Sequence, residues 1–293
     1  LPVREKAGQG LLRIADKLSM DQLNEIVVDL TRELETGQEE VSRYIPRYLG
    51  PLLCRLPHKE LEESLTFLED FVRTTSISSA RAALLTLGVV LSELLRTGRG
   101  GDSLASHVQG LLLTGVAHFD STIHQSALAV LCRDVLANEA LPLDVRQNCF
   151  VRTGKKLLTL LSEPRPDPLA FFTHASNLNP LYRFLIGCQV DLGPFPFPEP
   201  RPAAFFPGTF DPFSQGHKRI VEEIHALGFD VYLAIDEFSW SKRTLPRLQR
   251  RQIASMSTAD QLDVYVFPDE VPVNIAMPDD LKALSALFPG PEL

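Results

Sequence analysis

The residues best suited to chemistry occupy positions 206–217, Phe-Pro-Gly-Thr-Phe-Asp-Pro-Phe-Ser-Gln-Gly-His. An apolar run over 203–206 suits the end of a buried strand. Gly208 lets backbone N–H groups approach an anion, and a helix expected over 216–227 would turn its positive end toward the same place. Thr209 and Ser214 add hydroxyls, Gly216 opens the helix, and His217 stands in its first turn as a hydrogen-bond donor. Such a set suits a phosphate. Asp211 before Pro212 reads as a turn-former rather than a metal ligand. Farther on, Lys242, Arg243, Arg247, Arg250 and Arg251, joined by Lys218 or Arg219, make a local basic patch on a chain of formal net charge −8. A patch of this kind fits a small polyanion such as a triphosphate better than a long nucleic acid.

The pattern Gly-[Ser/Thr]-Phe-[Asp/Asn]-Pro-x-x-x-Gly-His has a chance expectation on the order of 10⁻⁶ in a chain of this length. These residues resemble the Rossmann-like nucleotidyltransferase superfamily of the His-x-Gly-His type, which includes cytidylyltransferases and the nicotinate-mononucleotide and phosphopantetheine adenylyltransferases. The family's first histidine is here Ser214, a hydroxyl as in the phosphopantetheine enzymes. The resemblance continues through a second strand-like run over 230–236. It then reaches a segment over 239–251 where family members have Ser-x-x-Lys and a helix with an arginine near its start, matching Lys242 and Arg251. The resemblance implies a parallel α/β sheet with its site at the strand carboxyl ends. It also implies transfer of a nucleotidyl group from ATP or another nucleoside triphosphate, accompanied by Mg²⁺, to a small phosphorylated acceptor such as nicotinate mononucleotide or phosphopantetheine. His217 and Lys242 would be catalytic, and Gly208, Thr209, Phe210, Ser214, Gly216 and Arg251 would hold the nucleotide and its phosphates. The family's later Gly-Ser-Asp-type loop and Ser-Ser-Thr-x-x-Arg-like segment have no counterpart before Leu293. The sequence, which opens on Leu1, is therefore read as part of a longer protein with a truncated nucleotidyltransferase domain.

The elements that must position these residues begin with a third strand-like run over 262–267 and helices over 246–257 and 278–287. Residues 1–192 instead carry apolar residues at helical spacing almost throughout. Ala7, Ile45 and Ala83 recur at a spacing of 38, as do Leu11, Leu49 and Leu87, and Ala127 and Leu131 follow after 44. Units of this size resemble HEAT or armadillo repeats, in which stacking of neighbours supplies the core. The pattern predicts an α-helical solenoid of about four helix pairs, with Ala7, Ile45, Ala83 and Ala127 facing inward and a loop over 96–102 interrupting the array. Residues 193–202, with a proline at every second position, form a semi-rigid linker near residue 195, in which Phe195 and Phe197 either dock on a domain or act as a passive spacer. The expected α/β domain covers 203–293.

Composition bounds the rest. The chain is long enough for two cored domains at 293 residues and 44% hydrophobic composition, and it has no run of apolar residues long enough to span a bilayer. Cys54, Cys132, Cys149 and Cys188 lack zinc-site spacing, which predicts reduced thiols and a cytoplasmic setting. His107, His118, His124 and His174 lack metal-ligand spacing and are read as structural, and Glu39-Glu40 and Glu62-Glu63 as solvated helix faces. No dense Lys/Arg face marks the helical part, which argues against nucleic acid there and leaves a protein as its expected partner. A helical scaffold with an inactive or sensory nucleotide-binding module is the alternative reading.

Overall fold

Capping side chains and a glycine turn divide the N-terminal sequence into helices. The computed structural model describes residues 2–36, 43–74, 76–99, 101–163, 165, 170–199, 201–236, 243–268 and 277–287. The first described helices are α1 (Pro2–Ile14), α2 (Met20–Thr36), α3 (Ile45–Leu53), α4 (His58–Thr74), α5 (Ile77–Thr97), α6 (Gly101–Ala117), α7 (Ser121–Ala129), α8 (Leu143–Ser162) and α9 (Ala170–Asp191). α7 runs on into a π-helical segment over Val130–Leu136. Ser76 caps α5 by accepting the Ser79 N–H, and Asp120 caps α7 by accepting those of Thr122 and Ile123. α5 ends on Gly98 in a left-handed conformation, φ 66°. The break expected over 96–102 is shorter than foreseen, because Arg96 and Thr97 are still helical and Gly101 already opens α6.

Two compact units result, Leu1–Arg152 with Asp167–Phe195, and Thr153–Pro166 with Pro196–Leu293. The chain thus changes unit inside α8 as well as after Phe195. Helical periodicity reports that a segment has an apolar face, not which unit that face meets.

In the first unit α1, α3, α5 and α7 pack in succession, and α9 lies on the π segment. α2 packs on α3, α4 on α5, and α6 on α5 and α7. The 38-residue spacing has a packing cause at Gly50 and Gly88. A Cβ on Gly50 would overlap Val89 of α5, and one on Gly88 would overlap Val130, so each glycine permits close approach of the next helix in the row. Ile45, Ala83, Ala127, Leu49, Leu87 and Leu131 are all buried. Ala7 is exposed, against expectation. α1 meets α3 through Glu5 instead, whose carbonyl accepts the Tyr48 hydroxyl at 3.2 Å. α5 is long and apolar enough to cross a bilayer, but Ala83, Leu84, Leu87, Val90 and Leu91 along it are fully buried in this unit. Phe195 rests edge-on against Phe150 at 5.6 Å, so the start of the proline-rich segment is docked.

The second unit contains β1 (Ala203–Gly208), α10 (Gln215–Ala226), β2 (Asp230–Ile235), α11 (Arg247–Ser257), β3 (Val264–Val266) and α12 (Pro278–Leu287). The strands are parallel in the order β1-β2-β3, with Ala203 opposite Asp230 and Val231 opposite Val264. Side-chain alternation sorts the two faces. Val231, Leu233, Ile235, Val264 and Val266 join Val221 of α10 and Ala254 of α11 in one core. On the opposite face Phe205, Tyr232, Tyr265 and Phe267 form an aromatic layer. The C-terminal half of α8 covers that layer. The Lys155 ammonium lies 4.2 Å from the Tyr265 ring centroid and 2.7 Å from an Asp230 carboxylate oxygen.

Lys156, 1% exposed, donates to the Val264 carbonyl. Burial lowers its pKa to about 7, against the opposing pull of Asp260, Asp263 and Glu163. Between pH 7 and the unfolded lysine's value near 10.5 the unfolded chain therefore binds the extra proton, so stability rises with pH across that window and is lowest below it. Tyr265, raised by burial, opposes this only at more alkaline pH. Hydrogen exchange of the Leu233 and Val266 amides, corrected for intrinsic rate, should show protection rising from pH 6.5 to about pH 9. Lys156→Met should flatten that rise, and an unchanged slope in the variant would assign it to other groups.

Candidate functional site

The carboxyl end of β1 delivers residues 208–217 to one edge of the sheet. A Cβ on Gly208 would sit 3.0 Å from the Phe210 ring, so the glycine makes room for that ring. Phe210 has φ 45°, a conformation costing a bulky residue about 1–2 kcal/mol. Its ring is 3% exposed and packs against Phe206 and Phe213, which offsets the strain. Phe210 therefore contributes its ring to the core rather than to a binding wall. The Asp211 carboxylate accepts the Leu245 N–H at 3.0 Å, tying this turn to the segment before α11.

Ser214 and His217 form a reciprocal cap at the start of α10. Ser214 Oγ accepts the His217 N–H at 3.4 Å, while the Ser214 N–H donates to His217 Nδ1 at 2.9 Å. Because Nδ1 accepts, the neutral imidazole carries its proton on Nε2 and presents that nitrogen as the donor. The ring is held by Phe206, Phe210 and Phe213, with centroids 6.2, 5.1 and 5.5 Å away. Tautomer and orientation are thus set locally. Gly216 lies in the first turn beside them, and a Cβ there would meet Ser214 Oγ only at ordinary contact distance, 3.6 Å.

The neighbouring strand end is fixed by Arg250, which is fully buried. Its guanidinium donates to the carbonyls of Leu245, Thr209 and Asp236 at 3.0, 2.5 and 2.8 Å. This holds the residues following β1 and β2 together, with Thr209 Oγ1 3.5 Å from an Asp236 carboxylate oxygen. Arg251, expected at the far phosphates, lies 3% exposed elsewhere in the unit. It makes a two-point ion pair with Glu163 at 2.6 and 3.2 Å and donates to the Phe267 carbonyl at 2.6 Å. Lys218 is paired with Asp260 at 2.9 Å. The basic patch read from the sequence is therefore divided, with Arg250 and Arg251 buried and Arg219 and Arg243 exposed: adjacent residues on α11 point about 100° apart, and charge counting does not separate the side facing in from the side facing out. Lys242 lies outside the described residues, as do Ser239, Trp240 and Ser241.

The structure brings together Gly208, Thr209, Ser214, Gly216 and His217. It adds Asp236, for which the sequence carried no distinguishing signal, and it sets Arg250, read from the sequence as one of the basic patch, inside the unit at the strand ends. In the helical unit, His124 and His174 stand Nε2 to Nε2 at 2.9 Å, with His124 Nδ1 on the Val116 carbonyl, a pairing 50 residues apart that spacing rules could not find. Among the described residues no group of three or more His, Cys, Asp or Glu side chains is gathered to hold a metal ion. Comparison with protein-family models, curated proteins and solved structures finds no match.

Arg250→Met leaves three part-buried carbonyls without their shared donor and should cost about 3 kcal/mol in urea unfolding. The exposed Arg243→Met should stay within about 0.5 kcal/mol. Equal effects of the two substitutions would show that Arg250 does not organise the strand ends.

Proposed function

We propose that the second unit is a nucleotidyltransferase-type site that moves a nucleotidyl group from ATP or another nucleoside triphosphate to a small phosphorylated acceptor. The observation that carries the reading is the coupled cap of Ser214 and His217 at the helix following a parallel strand. It leaves a positioned Nε2–H and a helix N-terminus on the same turn, an arrangement suited to phosphate oxygens. In this reading the sheet is a Rossmann-like fragment, and the row of helices is a solenoid of the HEAT or armadillo kind.

An acceptor phosphate oxygen would attack the α-phosphorus, the bond from that phosphorus to the bridging oxygen would break, and pyrophosphate would leave with the electron pair. No enzyme-bound covalent intermediate is required, so the protein's contribution is alignment and charge stabilisation. His217 would donate from Nε2 to a phosphate oxygen as charge builds, with Thr209, Gly208 and Gly216 shaping the cradle. Ser214 Oγ is engaged in the cap and acts chiefly by holding His217. Lys242 remains the cation expected from the motif. Magnesium would travel on the triphosphate, neutralising its phosphates. Nicotinate mononucleotide and phosphopantetheine remain the two acceptors to try.

One observation favours the alternative, a helical scaffold with a sensory or inactive nucleotide module. Arg251 and Lys218 are committed to internal ion pairs. The two readings differ in turnover. Pyrophosphate release by the full-length protein, with ATP or CTP and each acceptor, should be detectable and should fall about a hundredfold in His217→Ala with a smaller change in nucleotide affinity. Nucleotide binding without turnover for any pair would favour the sensory module, and near-normal turnover in His217→Ala would remove the proposed role of the ring.

A further inference from the structure

The helical unit carries an open groove with a cavity volume of about 510 Å³, bounded by α3, α5 and the π segment. The π segment is the unusual wall. This rare, wider helix spans seven consecutive residues and lines the groove through Arg133 and Asp134, and π-helical turns are frequent at functional sites. Ser92 of α5 donates to the Asp134 carbonyl at 3.3 Å, anchoring that wall across the groove's base.

Its chemistry is polarised. Arg43, Arg47 and Arg133 line it, Arg43 with its guanidinium also on the Tyr44 hydroxyl at 2.8 Å, while Leu85 and Val89 of α5 supply an apolar floor on which Leu85 is 37% exposed. Of the two acids, Glu93 is held by Arg96 at 2.6 Å, which offsets its charge. Burial pushes the Asp134 carboxyl up against the opposing pull of the neighbouring Arg133. Arg47 keeps 73% of its side chain exposed despite a contact with Glu5 at 3.4 Å.

We infer that this groove is a docking site for an extended segment of a partner protein bearing carboxylate side chains next to an apolar one. Guanidinium groups recognise carboxylates through paired N–H donors, and the leucine–valine floor accepts the apolar residue between them. Three helices side by side at about 9 Å spacing span roughly 18 Å, the length of five or six extended residues. The leucine–valine floor offers a phosphate–sugar backbone no contact, so a nucleic acid is disfavoured at this place. The net charge also gives an anionic partner no long-range attraction, and selection falls to the local arginines. This inference does not depend on the nucleotide chemistry of the second unit.

A random 12-residue peptide display library selected on the full chain supplies the probe, and the recovered peptides are measured by fluorescence anisotropy. Recovered sequences should be acidic with an interposed apolar residue. Binding should weaken about tenfold or more in Arg47→Glu and in Leu85→Lys, and weaken further with added salt, while His217→Ala leaves it unchanged. Both groove substitutions sit at exposed side chains, and unchanged thermal unfolding of the variants separates lost binding from lost folding. Arg133 is a less clean choice because it also donates to the Ser176 carbonyl at 3.3 Å. Failure to enrich any peptide, enrichment of basic or neutral sequences, insensitivity to both groove substitutions, or equal competition by a single-stranded oligonucleotide would each overturn the assignment.

Discussion

The candidate site depends on a guanidinium that never reaches it. Arg250 is fully buried and shares its N–H groups among three carbonyls, one after β1, one after β2 and one before α11. A buried charge is tolerated only when its donors are satisfied, and carbonyl dipoles at converging strand ends supply acceptors for it. The same contacts fix the spacing of Thr209 and Asp236 on the segments that follow β1 and β2. Remove the guanidinium and the two loops lose their common partner, whatever residues they carry.

The two faces of the sheet are held by different physics. On one, aliphatic side chains of three strands and two helices form a dry core. On the other, an aromatic layer receives two lysines from the end of α8, one over ring faces and paired with Asp230, the other buried on the Val264 carbonyl. Ammonium groups bind ring faces and carbonyls favourably, but burial charges Lys156 with a desolvation penalty that a hydrocarbon would not incur. In the helical unit the limiting constraint is distance between helix axes, met by glycines where the next helix brings a valine.

What was legible in the sequence was local. Ser214 and His217 three residues apart at a helix start, the strands at 203 and 230, and the helix over Pro278–Leu287 are signals carried by neighbouring residues, and the structure has them. What escaped was decided by partners far along the chain. Arg251 has the composition of a phosphate ligand, yet its partner is Glu163, 88 residues away. Residues 153–166 have ordinary helical periodicity, but their lysines belong to the sheet. Phe210 stands in the motif and spends its ring on the core. Ala7 follows the 38-residue spacing and is exposed, because the spacing marks position in a row of helices and not what each position meets.

The central claim is that the turn over 208–217 receives a nucleotide phosphate on His217 Nε2. Nuclear magnetic resonance of the ¹⁵N-labelled protein, titrated with the non-cleavable analogue α,β-methylene-ATP and Mg²⁺, observes that nitrogen directly. The account predicts saturable shifts of the His217 Nε2 signal and of the backbone amides of Thr209 and Gly216, with His124 and His174 unmoved. Binding that shifts other regions while leaving His217 and its turn unchanged, or no binding at millimolar nucleotide, would contradict it.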